Sequence, residues 1–406
     1  MNTVNVGVLT GGGDAPGLNA AIYGILLRGY QEKDIKILGI KQGWKIFTFP
    51  IEEIPKIKEF YVEELKIGEL DDLHTRGGTI LYTSRSNPFE EVVKLTDPKA
   101  QEALRKKVAL DLKAKMHIIG LDALIIIGGD DTCGVGAALY KYTNAKVVAC
   151  PKTIDNDLAG TDYTFGFFSS AQLASNSLDS ITTTAHSHQR IFVVEIMGRD
   201  AGWLTLFSGL SSGADIILLP ETPFDFQRDV IEVLRERVRA GYTYHIIACA
   251  EGAYPSMESL ERDFTVISAE DINNLPKDTF GHPELHALKI ADKIAKQIKR
   301  TKELKQFFEQ HYVNFEVRSV VLGHTMRAGT PNVYDRITGL RYGYHAMSML
   351  IDGVYGKMSS LNGTQICAVD LEVGSKKKYV DPNSDLIAIR DAMEDVKYKS
   401  KEKLFL

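Results

Sequence analysis

Seven residues, Pro151-Lys152-Thr153-Ile154-Asp155-Asn156-Asp157, gather two carboxylates, an amide, a hydroxyl and a cation. They follow an apolar run, Val147 to Cys150, that reads as a short buried strand. Two acids at spacing two, on a loop leaving a strand, can point at one spot. The carboxyl end of a parallel strand is where open α/β sheets place their ligands. Thr, Asp and Asn are equally ordinary turn and helix-cap residues, so alone this segment supports a cap as well as a catalytic site.

Two glycine-rich loops shift that balance. Val4 to Thr10 is a β-branched apolar run ended by Gly11-Gly12-Gly13-Asp14-Ala15-Pro16-Gly17, and Leu18 to Leu27 then carries apolar residues at helical spacing. Strand, glycine turn and helix make the local geometry of a phosphate-binding loop, in which backbone N–H groups and a helix N-terminus face an anion. The loop is neither GxxxxGK[ST] nor GxGxxG, and a tight strand-to-helix turn would look the same. Ala123 to Ile127 ends likewise in Gly128-Gly129-Asp130-Asp131-Thr132, where a helix begins. Acids at a helix start are stabilising caps. Beside a phosphate they repel unless a divalent metal lies between. Three strand-to-loop junctions thus bring glycine backbone, four acids (Asp130, Asp131, Asp155, Asp157) and Lys152 to one sheet edge. That inventory fits Mg²⁺-assisted phosphoryl transfer better than other chemistry.

The elements that must position these loops alternate between strand and helix. Strands are expected at Ile35–Ile40, Ile191–Ile196, Ile216–Leu219, His245–Ala250, Glu316–Leu322 and 365–371, with a short one at Ile80–Tyr82. Helices are expected over 97–117, 165–185, 225–240, 284–309, 335–352 and 383–397, with a peripheral helix and loop in 51–75 and irregular chain over 255–283. This alternation argues for parallel sheets. A chain of 406 residues suits two or three domains. A formal charge of −5 gives no basic face for nucleic acid. Cys133, Cys150, Cys249 and Cys367 form no CxxC pair, so buried thiols are expected rather than zinc or disulfides. No apolar run has the length of a membrane span, and no leader-like segment opens the chain, which points to a cytoplasmic protein.

The set GGGDAPGLNAAI (11–22), GGDDT (128–132), PKTIDND (151–157), MGRDAGWL (197–204), AEG (250–252) and LGHTMRAGTPNVYDR (322–336) closely resembles the phosphofructokinase family, in the family's order. The resemblance implies two Rossmann-like three-layer α/β/α domains with mostly parallel sheets and the active site in the cleft between them. Residues 1–166 with about 326–406 would bind the phosphoryl donor, and 167–325 the sugar phosphate. By resemblance Asp155 takes the proton of the sugar 1-hydroxyl, and Asp157 supports it or the metal. Thr153 and the Gly12 and Gly13 backbone hold the phosphoryl group, Asp130 binds Mg²⁺, and Arg199 neutralises charge on the transferring group. Glu251 and the Met197-Gly198 backbone line the sugar, while His324 and Arg327 hold its 6-phosphate. Arg190 and Arg318 match arginines that reach that phosphate from a neighbouring subunit, implying a homodimer or homotetramer with a shared site. Taken singly, each arginine reads as well as a surface ion pair.

Two positions bear on the donor. ATP-using members of the family typically have glycine where this chain has Asp131, and many have another where it has Lys152. A carboxylate at Asp131 fills the volume an α-phosphate needs and repels its charge. Lys152 supplies a point charge for the free end of pyrophosphate. Arg85 matches a nucleotide-phosphate arginine and would contact pyrophosphate instead. The resemblance therefore implies a reversible pyrophosphate-dependent 6-phosphofructokinase, with an ATP-dependent enzyme or a non-catalytic sugar-phosphate-binding subunit as alternatives. Tyr23 and Leu27 stand where regulated members carry effector-binding arginines, so no allosteric control is expected.

Overall fold

The computed structural model describes residues 3–69 and 72–402. Its strands, in chain order, are β1 (Val4–Thr10), β2 (Ile35–Ile40), β3 (Val62–Glu64), β4 (Ala123–Gly128), β5 (Val147–Thr153), β6 (Phe165–Gly166), β7 (Ile191–Ile196), β8 (Ile216–Leu218), β9 (His245–Ala250), β10 (Val317–Val321), β11 (Lys357–Asn362) and β12 (Gln365–Asp370). The chain forms two compact units. Met1–Ser169, Lys277–His282 and Arg327–Lys378 make the first; Ser170–Pro276, Pro283–Met326 and Tyr379–Leu406 make the second.

In the first unit the sheet runs β12-β11-β5-β4-β1-β2-β3, with β6 against β5. All neighbours are parallel except the edge strands β3 and β12. Alternate residues of each strand face opposite sides. Val6, Val8, Ile125, Ile127 and Val148 pack with the helices Leu18–Gly29 and Val333–Ile351. Leu9, Leu124, Ile126, Val147 and Ala149 pack with the helices Pro98–Ile119 and Asp130–Thr143. Helices on both faces explain why these strands are apolar throughout rather than alternating. Burying each such side chain stabilises by roughly 1.5–3 kcal/mol.

From β1 the chain goes to β2 on one side, then crosses to β4 on the other. Loops leaving β1 and β4 therefore diverge, which opens a crevice at the carboxyl edge. Thr10 pairs with Ile127, and Ile127 with Cys150, so the three strands reach one level of the sheet together; β1 ends there, whereas β4 runs on to Gly128 and β5 to Thr153.

The second unit is a four-stranded parallel sheet in the order β10-β7-β9-β8. Ile191, Val193, Ile216, Leu218, Ile247 and Cys249 form one buried core with Val230, Leu234, Ile294 and Phe308. On the other face Gly209, in the helix Trp203–Ser212, lies against Ile217 and Ala248. The fold is thus mixed α/β with mostly parallel sheets.

Several sequence expectations shift. Ile80–Tyr82 is not a strand: Tyr82 is left-handed (φ 54°), and the Leu81 carbonyl accepts from the Gln42 amide at 2.8 Å. The helix expected over 284–309 breaks at Thr301, whose extended ψ and bond to the Gln297 carbonyl (3.1 Å) separate Ile290–Arg300 from Lys302–Gln310. Residues 379–402 pack in the second unit, whereas the sequence reads 326–406 as one domain with 1–166. There the Val380 amide donates to Glu221 (3.0 Å) and Arg390 to the Thr222 hydroxyl (3.4 Å).

Candidate active site

At the carboxyl edge of the first sheet, the loop after β1 is pinned by its neighbours. The Gly11 amide donates to the Ile127 carbonyl (2.9 Å) and the Gly12 amide to the Ser84 carbonyl (3.0 Å). The Thr83 hydroxyl returns a bond to the Gly12 carbonyl (2.5 Å). Gly12 was expected to offer its N–H to a phosphoryl group, but that N–H is already engaged with Ser84. Gly13 is the amide of the pair for which the described residues supply no acceptor. A Cβ at Gly13 would stand 2.6 Å from the Arg327 guanidinium, so glycine there permits the close approach of a cation. Arg327 belongs to this unit, is buried and donates to the Asp14 carbonyl (3.0 Å). Its Nε is buried without a partner among the described residues. Sequence reasoning had grouped Arg327 with His324; the fold sets its guanidinium on the glycine loop.

The Lys152 ammonium donates to the Gly13 carbonyl (2.5 Å), which puts a buried cation at the same loop. β5 runs on through Thr153, so Lys152 and Thr153 are strand residues held rigidly by the sheet. The Thr153 hydroxyl accepts from the Asp155 amide (3.1 Å) and starts the turn. Asn156 completes it in the left-handed region (φ 52°), which Asn tolerates better than most residues. Its side-chain oxygen accepts from the Thr164 amide (3.1 Å), so Asn156 shapes the loop. Asp155 is only 5% exposed, and its Oδ1 has no hydrogen-bond partner among the described residues. A buried carboxylate oxygen left open is costly unless something else comes to bond it.

Sequence reasoning missed Lys378. Its ammonium donates to Asn156 Oδ1 (3.3 Å), the Thr161 carbonyl (3.0 Å) and the Asp162 carbonyl (2.8 Å), and its amide to the Asp157 carbonyl (2.6 Å). Burial lowers its pKa to about 8, against the opposing pull of Asp162 and Asp157. In sequence it sits in a Lys376-Lys377-Lys378 run, which reads as a solvated charge cluster.

Asp130 and Asp131 open the helix Asp130–Thr143. His282 joins them: one ligand atom from each of the three lies within 4.8 Å of the others, and His282 Nε2 is 3.8 Å from Asp131 Oδ1. Hard carboxylate oxygens of this kind suit Mg²⁺. Arg85 is exposed, and its carbonyl accepts from the Thr279 hydroxyl (3.0 Å).

In the second unit, Glu251 follows β9, and Met197, Gly198 and Arg199 follow β7. The Glu251 Oε1 accepts from the Gly198 amide (3.2 Å) and the Arg199 amide (2.7 Å), holding Arg199 left-handed at φ 52°. His324 is exposed on the turn Gly323–Arg327 beyond β10. Arg190 and Arg318 do not meet these groups. Both pair with Glu316, Arg190 at 2.7 Å, at the amino edge of the sheet, opposite the edge that carries Glu251.

Residues 5–350 match the family model described as Phosphofructokinase. The chain is 39% identical over 382 residues to the pyrophosphate–fructose 6-phosphate 1-phosphotransferase of Amycolatopsis methanolica, covering 93% of this chain and 97% of that one. It is also 37% identical over 388 residues to an ATP-dependent 6-phosphofructokinase of Spirochaeta thermophila, covering 95% of each. Among solved structures, a pyrophosphate-dependent phosphofructokinase from Marinobacter aquaeolei superimposes with a TM-score of 0.70 at 19% identity, over 97% of this chain and 91% of that one, a likeness of fold. With the family's motifs falling on the loops at the carboxyl edges of both sheets, this chain belongs to the phosphofructokinase family.

Proposed function

We propose that this phosphotransferase moves a phosphoryl group from inorganic pyrophosphate to the 1-hydroxyl of fructose 6-phosphate, giving fructose 1,6-bisphosphate and phosphate. One observation carries the donor assignment: Asp131 stands beside Asp130 in the first turn of the helix Asp130–Thr143, at the crevice between β1 and β4. An α-phosphate there meets a carboxylate, and pyrophosphate does not extend so far.

Asp155 acts as general base, and its unpartnered buried oxygen supports that role. The carboxylate takes the hydroxyl proton as the sugar oxygen bonds phosphorus; the bridging P–O bond breaks and its electron pair leaves with phosphate. Lys152 and the Gly13 amide hold the transferring group from the loop side, where Lys152 already rests on the Gly13 carbonyl. Asp130 would hold Mg²⁺, which when bound offsets phosphate charge. Asp157 supports the loop, and Arg199, Glu251 and Gly198 orient the sugar. His324 binds its 6-phosphate, and Arg327, which rests on the Asp14 carbonyl in the unliganded chain, turns from the glycine loop to join it. Arg190 and Arg318, gathered on Glu316 at the amino edge, serve a neighbouring subunit's site in a dimer or tetramer.

Initial rates with pyrophosphate and ATP at equal concentration test the assignment. Faster turnover with pyrophosphate is expected, and Asp131→Gly should raise the rate with ATP. A clear preference of the unaltered enzyme for ATP overturns the donor assignment. That outcome would favour an ATP-dependent enzyme, the reading supported by the similarity to the Spirochaeta thermophila protein.

A further inference from the structure

The segment Lys277–His282 belongs to the first unit, although the chain on either side belongs to the second. It is a tight turn. Asp278 Oδ1 accepts from the Phe280 amide (2.9 Å) and the His282 amide (3.0 Å), and the Asp278 amide donates to the His282 carbonyl (2.9 Å). One side is fastened to the loop that carries Arg85. The Thr279 hydroxyl donates to the Arg85 carbonyl (3.0 Å), and the Asn87 side chain donates to the Thr279 carbonyl (3.0 Å). On its other side the His282 ring reaches Asp131, with Nε2 3.8 Å from Oδ1. Phe280 lies nearly parallel to that ring, with centroids 6.5 Å apart and planes 22° apart.

The turn therefore bridges the loop that carries Arg85 and the helix start that carries Asp131. On the pyrophosphate reading, a donor no longer than pyrophosphate would end before it, and one that continued past its second phosphate between Arg85 and Asp131 would have to displace it. We propose that Lys277–His282 is the wall of the donor site, and that His282 determines specificity by holding the Asp131 carboxylate across the path of a nucleoside. This inference rests on the pyrophosphate reading above. Asp131 alone is a short side chain that can rotate aside; an imidazole anchored by a turn, itself tied to Asn87 and Arg85, makes that rotation costly.

The test uses the full-length enzyme and compares kcat/KM for ATP with kcat/KM for pyrophosphate in the wild type, His282→Ala and Asn87→Ala. The Asn87 variant loosens the turn from its far end without touching the donor. Competitive inhibition by AMP is measured alongside, as a readout independent of turnover. If the wall exists, both variants raise the ATP-to-pyrophosphate ratio at least tenfold and lower the inhibition constant of AMP, while His282→Gln, which keeps a polar side chain of similar reach beside Asp131, stays near wild type. A wild type that prefers pyrophosphate, with the ratio and AMP inhibition unchanged in both variants, overturns the wall and leaves the donor assignment standing. A wild type that prefers ATP overturns both. Circular dichroism melts identify a variant that has lost its fold, and Asn87→Ser then replaces it.

Discussion

Glu195 lies on β7, 4% exposed, with one carboxylate oxygen accepting the Ala291 amide (3.1 Å). Burial, joined by repulsion from Glu251 and Asp292, raises its pKa from 4.5 to about 7. Between those two values the folded chain binds this proton more tightly than the unfolded chain. The stability that the protonated carboxyl allows is therefore full below pH 4.5 and is lost as pH rises towards 7. At about 1.4 kcal/mol for each pH unit of that window, Glu195 costs the fold about 3 kcal/mol at pH 8 compared with pH 4. Glu195→Gln keeps the volume and the acceptor for Ala291 but cannot ionise. Urea unfolding followed by circular dichroism at pH 4, 5, 6, 7 and 8 should show the variant level with wild type at pH 4 and more stable by about 3 kcal/mol at pH 8. A difference that stays constant with pH, or a variant weaker at pH 8, refutes the reasoning.

Lys378→Met should lower stability at pH 7.5 by about 1–3 kcal/mol, because it strips a donor from three acceptors on the acid loop. Since the lysine pKa falls to about 8, the wild type gains stability as pH climbs from 8 towards 10.5, and melting temperatures of the variant should lack that gain. Gly343→Ala would place a Cβ 2.0 Å from the Ala21 carbonyl oxygen, backbone of a packed helix that cannot yield. A loss of about 3 kcal/mol in thermal or urea unfolding is expected, and an unchanged midpoint would contradict the close packing.

The sheets were legible because burial on both faces leaves a plain signature: β1, β4 and β9 are largely apolar runs ended by glycine or an acid, and β7 is one broken only by Glu195. What escaped lies where pattern and environment part. β11 is Lys357-Met358-Ser359-Ser360-Leu361-Asn362, polar enough to pass for a loop, and its partner β12 alone was visible. The acid loop and both glycine loops declared themselves through residue types at fixed spacing. Gly12 kept its place on the loop, although no spacing tells that Ser84 takes its amide. His282 and Lys378 carried no signal: each comes from a distant, unpatterned stretch, and only the folded chain brings them to Asp131 and Asn156.

The first sheet is assembled from chain that is far apart in order of synthesis: β5 ends at Thr153, whereas β11, its neighbour, begins at Lys357. At about 5–20 residues per second, the ribosome leaves that flank of β5 uncovered for roughly 10–40 seconds. The second unit's strands, β7 to β10, all emerge in that interval. A nascent chain of this protein must therefore keep an apolar strand edge out of trouble while a later-made unit has the time to fold first, which makes that edge the natural place for a chaperone to act.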